Sequence, residues 1–150
     1  MNGETIDILI CEAGARRCAL RLDAVIETMR PLATQPVESD FAWLTGVALV
    51  RGQPCPVLDL SLLLGEPAPV TRWVTARVGQ AGERVVALAV SRVDGLSGLA
   101  ASDLEVAPPL LSAGSEAVSA LAVHDGHLLS LLHTASLLTE EVWAVLEAAS

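Results

Sequence analysis

Cys11, Cys18 and Cys55, with His124, His127 and His133, are the side chains of this sequence that offer nucleophilic or metal-binding chemistry. A cysteine nucleophile needs a base to take its proton and a further group to orient that base. Cys55 can be set beside any of the histidines on paper, but Pro54 and Pro56 enclose it in an apolar run, the setting of a packed edge strand. His124 and His127 flank Asp125-Gly126 and could share a metal, yet a structural zinc takes about four ligands. A surface turn is the simpler reading. No GxGxxG, P-loop, HExxH or GxSxG pattern occurs, and the carboxylates are scattered without a pairing that sets an acid against a base. The sequence therefore predicts a protein that is not an enzyme and that uses no metal, nucleotide or other cofactor.

Charged residues inside apolar runs are more informative. Arg51 follows Gly46-Val47-Ala48-Leu49-Val50 and precedes Gly52-Gln53-Pro54-Cys55-Pro56-Val57-Leu58-Asp59-Leu60. A buried guanidinium without a counter-charge is costly, so a carboxylate partner is required wherever such a residue is withdrawn from water. Glu27, in Val25-Ile26-Glu27-Thr28-Met29, is the best candidate because it too is embedded in an apolar strand. A partly buried Glu27–Arg51 ion pair is expected; the alternative is two solvated charges on exposed strand faces.

The elements that hold these groups follow from composition. The chain has 150 residues, 52% hydrophobic and 18% charged, which fits one compact core and excludes disorder. Aromatic content is only 3%, so Val, Leu, Ile and Ala must fill that core. All nine basic residues are Arg, against eighteen acids, and the net charge of −9 disfavours nucleic acid and anionic lipid as partners. Mean hydropathy is high at +0.52, but no run reaches the roughly 18 apolar residues of a membrane span, so direct membrane insertion is not expected. Glu4 and Asp7 stand where a secretion signal would need the opposite character. With an odd, low cysteine count, this reads as a cytoplasmic protein with reduced, buried thiols.

Short runs rich in Val, Leu and Ala, separated by turn residues, predict about ten strands: 6–11, 17–22, 25–30, 45–50, 54–58, 72–78, 84–90, 92–97, 117–123 and 128–132. Asp125-Gly126 and Gly82-Glu83 are read as hairpin turns. The Pro- and Ala-rich segments 65–70 and 107–114 are read as loops. A short helical turn is expected at 59–64, after Asp59. A C-terminal helix is expected over about 134–148, with Thr139 as an alternative N-cap that would leave 134–138 as a separate turn.

In order and spacing these residues resemble the CheW family, the adaptor domains of bacterial chemosensory arrays. The family's apolar-x-Glu strand, then Gly, Arg-Gly and Pro-Val-x-Asp-Leu, is matched by Val25, Glu27, Gly46, Arg51, Gly52, Pro56, Val57, Asp59 and Leu60. Val74, Val78, the run Arg84–Val90 and Val93 continue the pattern, and 122–132 is similar to its last hairpin. Four positions depart from it: Leu49 stands for a usual Asn, Ser61 for a common Arg, Ser91 and His133 for Asp.

The resemblance implies a mainly β fold of two small five-stranded SH3-like barrels, about 17–65 and 70–132, packed around a shared apolar interface within one domain spanning 1–150. It implies a non-enzymatic scaffold that couples the cytoplasmic hairpin tips of chemoreceptors to the regulatory domain of a CheA-type histidine kinase at membrane-associated arrays. Val25, Gly46, Trp73, Val74, Ala87 and Val93 are the implied lining of a receptor groove. A divergent or accessory adaptor that binds only one partner is the alternative. A small-barrel nucleic-acid binder is the remote one, for which the chain lacks both the aromatics and the basic groove.

Overall fold

The computed structural model describes residues 4–79, 81–106, 118–134, 137–138 and 140–149. Its strands are β1 (Thr5–Ala13), β2 (Arg16–Arg21), β3 (Val25–Met29), β4 (Leu44–Val50), β5 (Gln53–Asp59), β6 (Arg72–Val78), β7 (Arg84–Val90), β8 (Arg92–Ala100), β9 (Glu105–Val106), β10 (Val118–His124) and β11 (His127–Leu132). Among the described residues two α-helices accompany them, α1 (Leu60–Leu63) and α2 (Glu140–Ala149). The ten expected strands are all present; β9 is an addition. The expected loop at 107–114 and the candidate cap Thr139 lie outside the described residues.

Turn chemistry fixes the hairpins. Arg51 and Gly52 join β4 to β5 with φ of 51° and 78°, and Asp125 and Gly126 join β10 to β11 with φ of 50° and 77°. Paired positive φ values give a turn whose twist matches the strands it connects. At α1 the Asp59 side chain accepts the Leu62 backbone N–H at 3.2 Å and the Ser61 hydroxyl at 2.6 Å, capping a single helical turn. The closing helix begins at Glu140 rather than near 134, with Glu140 and Glu141 at the positive end of its dipole.

Two sheets result, with strand orders β8-β1-β2-β11-β10-β9 and β3-β6-β7-β5-β4. The expected division into barrels at 17–65 and 70–132 needs correction. The chain crosses to the second sheet at Leu22–Ala24 and returns only at Ser91, so β6 and β7 belong with β3, β4 and β5 while β8–β11 rejoin β1 and β2. Alternation of apolar residues dictates which face is buried but not which strand is the neighbour. Side chains also reach across each sheet, between its two outermost strands in the second and from an outer strand to the last but one in the first. Arg51 reaches from the β4 end to Glu27 on β3, and Ser97 on β8 lies 2.9 Å from the ring of His124 on β10.

Three apolar clusters fill this architecture. Ile8, Ile10, Ala19, Ala122, Leu129 and Leu131 form the interior of the first barrel. Ala48, Cys55, Val57, Trp73, Ala87 and Ala89 form that of the second. The largest cluster lies between the sheets, where Leu9, Cys11, Cys18 and Leu20 meet Leu58, Val74, Val86 and Leu88. Leu137, Leu138, Val142 and Leu146 join that cluster from the C-terminal segment. Each fully buried Leu or Val there contributes about 1.5–3 kcal/mol. The Arg84 guanidinium stacks over the Trp143 ring at 4.2 Å, tying α2 to β7.

Candidate partner-binding site

The six groove residues named from the sequence separate into three groups. Val74 lies in the inter-sheet core, and Trp73 and Ala87 lie inside the second barrel. Trp73 is only 3% exposed and the other two have no accessible surface, so these three support packing and cannot touch a docked partner. That corrects their place in the groove. Gly46 is buried in β4 beneath the segment at Gln35, a close backbone approach rather than an open face. Val25 and Val93 differ. Both are half-buried, and both pack against the rim of the inter-sheet core from opposite sheets, on β3 and β8.

Two residues from Val25 on β3 stands Glu27, paired with Arg51. Arg51 donates from Nε to one carboxylate oxygen of Glu27 at 2.7 Å and from Nη2 to the other at 2.8 Å, a bidentate contact. A register shift between Val25 and Glu27 interrupts the β3–β6 ladder at this point, and the Glu27 carbonyl accepts from the Thr75 hydroxyl at 3.3 Å. The pairing expected from the sequence is present, but Arg51 is 78% exposed, so solvent screens it. The hydrogen bond from Arg51 holds the Glu27 carboxyl below its ordinary value of 4.5.

Arg51→Ala, Glu27→Ala and the double variant are therefore expected to lose little stability, with a small positive coupling that shrinks in high salt. Because the folded pKa is depressed, the contribution is present above pH 4.5 and is lost as pH falls through the lower folded value. A double-mutant cycle in low and high salt measures it; strong coupling that ignores salt would contradict the exposed geometry.

The four departures from the family pattern also separate. Ser61 is buried against Asp59, and the Ser91 hydroxyl accepts the Gly14 backbone N–H at 3.0 Å, so both serve the fold. Leu49, 68% exposed, and His133, also exposed, alter the outer surface instead.

The family model of the CheW-like domain matches residues 7–142. The chain belongs to the CheW-like domain family. No curated protein matches it by sequence. Among solved structures, the scaffolding protein TtCheW from Thermoanaerobacter tengcongensis superposes with a TM-score of 0.75 at 18% identity, over 87% of this chain and 90% of that one. At such identity the likeness establishes the fold of two SH3-like barrels. The family is one of scaffold adaptors in chemotaxis. No helix among the described residues is long and apolar enough to cross a membrane.

Sequence reading passed over a second charged cluster, Glu12, Arg17, Arg92 and Asp94. The signal was the Gly14-Ala15 turn, which sets Glu12 directly opposite Arg17 across the β1–β2 hairpin.

Proposed function

We propose that this protein is a non-enzymatic adaptor that couples a chemoreceptor hairpin tip to the regulatory domain of a CheA-type histidine kinase, in the cytoplasm at a membrane-associated array. The observation that carries this reading is the rim of the inter-sheet core, where Val25 and Val93 keep part of their apolar surface on facing sheets. An apolar stripe of a helical hairpin fits between them, in the manner of a helix laid in a groove. Exposed Leu49 favours a second reading, in which the surface that usually carries Asn has changed and only one of the two partners is retained.

Val93→Glu tests the groove. A carboxylate buried against a docked helix without a partner costs about 1–3 kcal/mol, so binding of receptor-tip fragments from the same organism should weaken about 10- to 100-fold. Val93→Ala, which loses only methyl contacts, should weaken it a few-fold. Both variants must keep a cooperative melt close to the parent's. Folded Val93→Glu that binds receptor fragments as tightly as the parent would overturn the groove, and co-purification with the kinase separates the two readings.

A further inference from the structure

Two buried side-chain nitrogens among the described residues have no hydrogen-bond partner, Arg17 Nε and His124 Nδ1. Both lie at one end of the first barrel. Arg17 is in register with Glu12 on β1 and with Leu129 on β11, and Leu129 belongs to the barrel interior. His127 precedes Leu129 by two residues and so shares its face, and His124 is the cross-strand partner of His127. The apolar interior thus gives way to a polar mouth, with a cavity of about 660 Å³ lined by Glu12, Arg17, Arg92, Asp94, His127 and Leu128.

The charges in this mouth are unevenly matched. Arg92 holds Asp94 at 2.9 Å, whereas Arg17 reaches the same carboxylate only at 4.0 Å, beyond hydrogen-bond distance. The Arg17 side chain is nevertheless only 22% exposed. The Nε–H of this guanidinium, withdrawn from water, needs an acceptor, and leaving it unmet is costly. Glu12, opposite Arg17, meets the need only through charge: both Arg17 and Arg92 act on its carboxyl, but Arg17 makes no hydrogen bond to it, and the neighbouring Asp94 carboxyl pushes its pKa up.

We propose that the mouth of the first barrel binds a singly charged carboxylate group, its oxygens accepting from Arg17 beside the walls formed by His127 and Leu128. A dianion such as phosphate would face Asp94 and Glu12 with twice the charge and fits less well. The carboxylate can belong to a small free acid or to an acidic side chain of a polypeptide, the shared chemistry being one planar oxyanion for one guanidinium fork. This site meets the inter-sheet groove at β8, where Val93 stands between Arg92 and Asp94.

Nitrogen-15 NMR titration tests it, with sodium acetate standing for a free acid, N-acetylglutamate amide for a polypeptide side chain, and sodium chloride at matched ionic strength as the reference. The Arg17 Nε–H and His127 signals should move saturably with one or both carboxylates, the tighter naming the source. Arg17→Lys keeps the charge but removes the fork, and should weaken binding at least about tenfold. Arg17→Gln should abolish binding, and Arg77→Lys, on the exposed side of β6, should leave it unchanged. Shifts that track chloride for both probes would overturn the site, as would saturable binding that survives in folded Arg17→Lys at parental strength.

Discussion

Raising the pH to about 10 or 11 is expected to unfold this protein, and three buried thiols are the reason. Cys11, Cys18 and Cys55 are all free and buried, the first two in the inter-sheet core and the third inside the second barrel. Burial penalises the thiolate, raising Cys11 well above the ordinary 9.0, Cys18 to about 12 and Cys55 to about 11. The folded chain therefore keeps protons that the unfolded chain releases above pH 9. Stability is full below that value and falls as pH rises toward the folded values, at about 1.4 kcal/mol per pH unit for each thiol. Three thiols together give about 4 kcal/mol per unit, so a domain near the lower end of the usual range, about 5 kcal/mol, unfolds near pH 10 to 11.

The composition makes this measurement unusually clean. The chain has no Lys and no Tyr, so the thiols are its only side chains that ordinarily titrate between pH 9 and 12, since Arg stays protonated. Urea melts followed by circular dichroism from pH 7 to 11 give the slope. Replacing all three cysteines by Ala should flatten the profile above pH 9 even though the variant starts from lower stability. An equally steep alkaline loss in that variant would show that the thiols are not responsible.

Strand positions were legible from the sequence because turn residues punctuate it and because branched apolar residues crowd the runs between. Asp125-Gly126 announced its hairpin through the φ values that only a few residue types accept. The ion partner of Arg51 was legible as well, since Glu27, like Arg51, is a charge embedded in an apolar run. Other features could not be read. In β6 and β7 both faces are covered, one by the other sheet and one by the barrel interior, so Trp73, Val74 and Ala87 look alike whether they line a groove, a core or a lumen. Sheet membership was hidden for a related reason: pairing of β2 with β11 and of β5 with β7 joins strands far apart in sequence. The mouth cluster was hidden because Glu12, Arg17, Arg92 and Asp94 come from three strands and meet only once the register is known.

Gly46→Ala is expected to displace the segment that crosses β4, and the effect distinguishes a packing glycine from a partner contact. Gly46 has φ of 155°, and a Cβ built there would sit 2.1 Å from the Gln35 carbonyl oxygen and 3.0 Å from the Pro36 Cα. Backbone atoms cannot yield as the end of a flexible side chain does. Gln35 and Val47 exchange backbone hydrogen bonds at 2.8 and 2.9 Å beside this glycine, so the segment is held against β4 where a methyl group would intrude. Loss of that pair, together with the unfavourable φ, should cost about 2–4 kcal/mol, from about 1–3 for the strained conformation and about 1 for the weakened hydrogen bonds. Hydrogen exchange reads the local event directly: the Gln35 and Val47 amides should lose protection in Gly46→Ala while those of β6 and β7 keep theirs. If the proposed receptor binding also weakens in this variant, the moved segment at Gln35 accounts for it. Parental stability and protection combined with lost receptor binding would instead make Gly46 a direct contact, restoring the role that the family resemblance first implied for it.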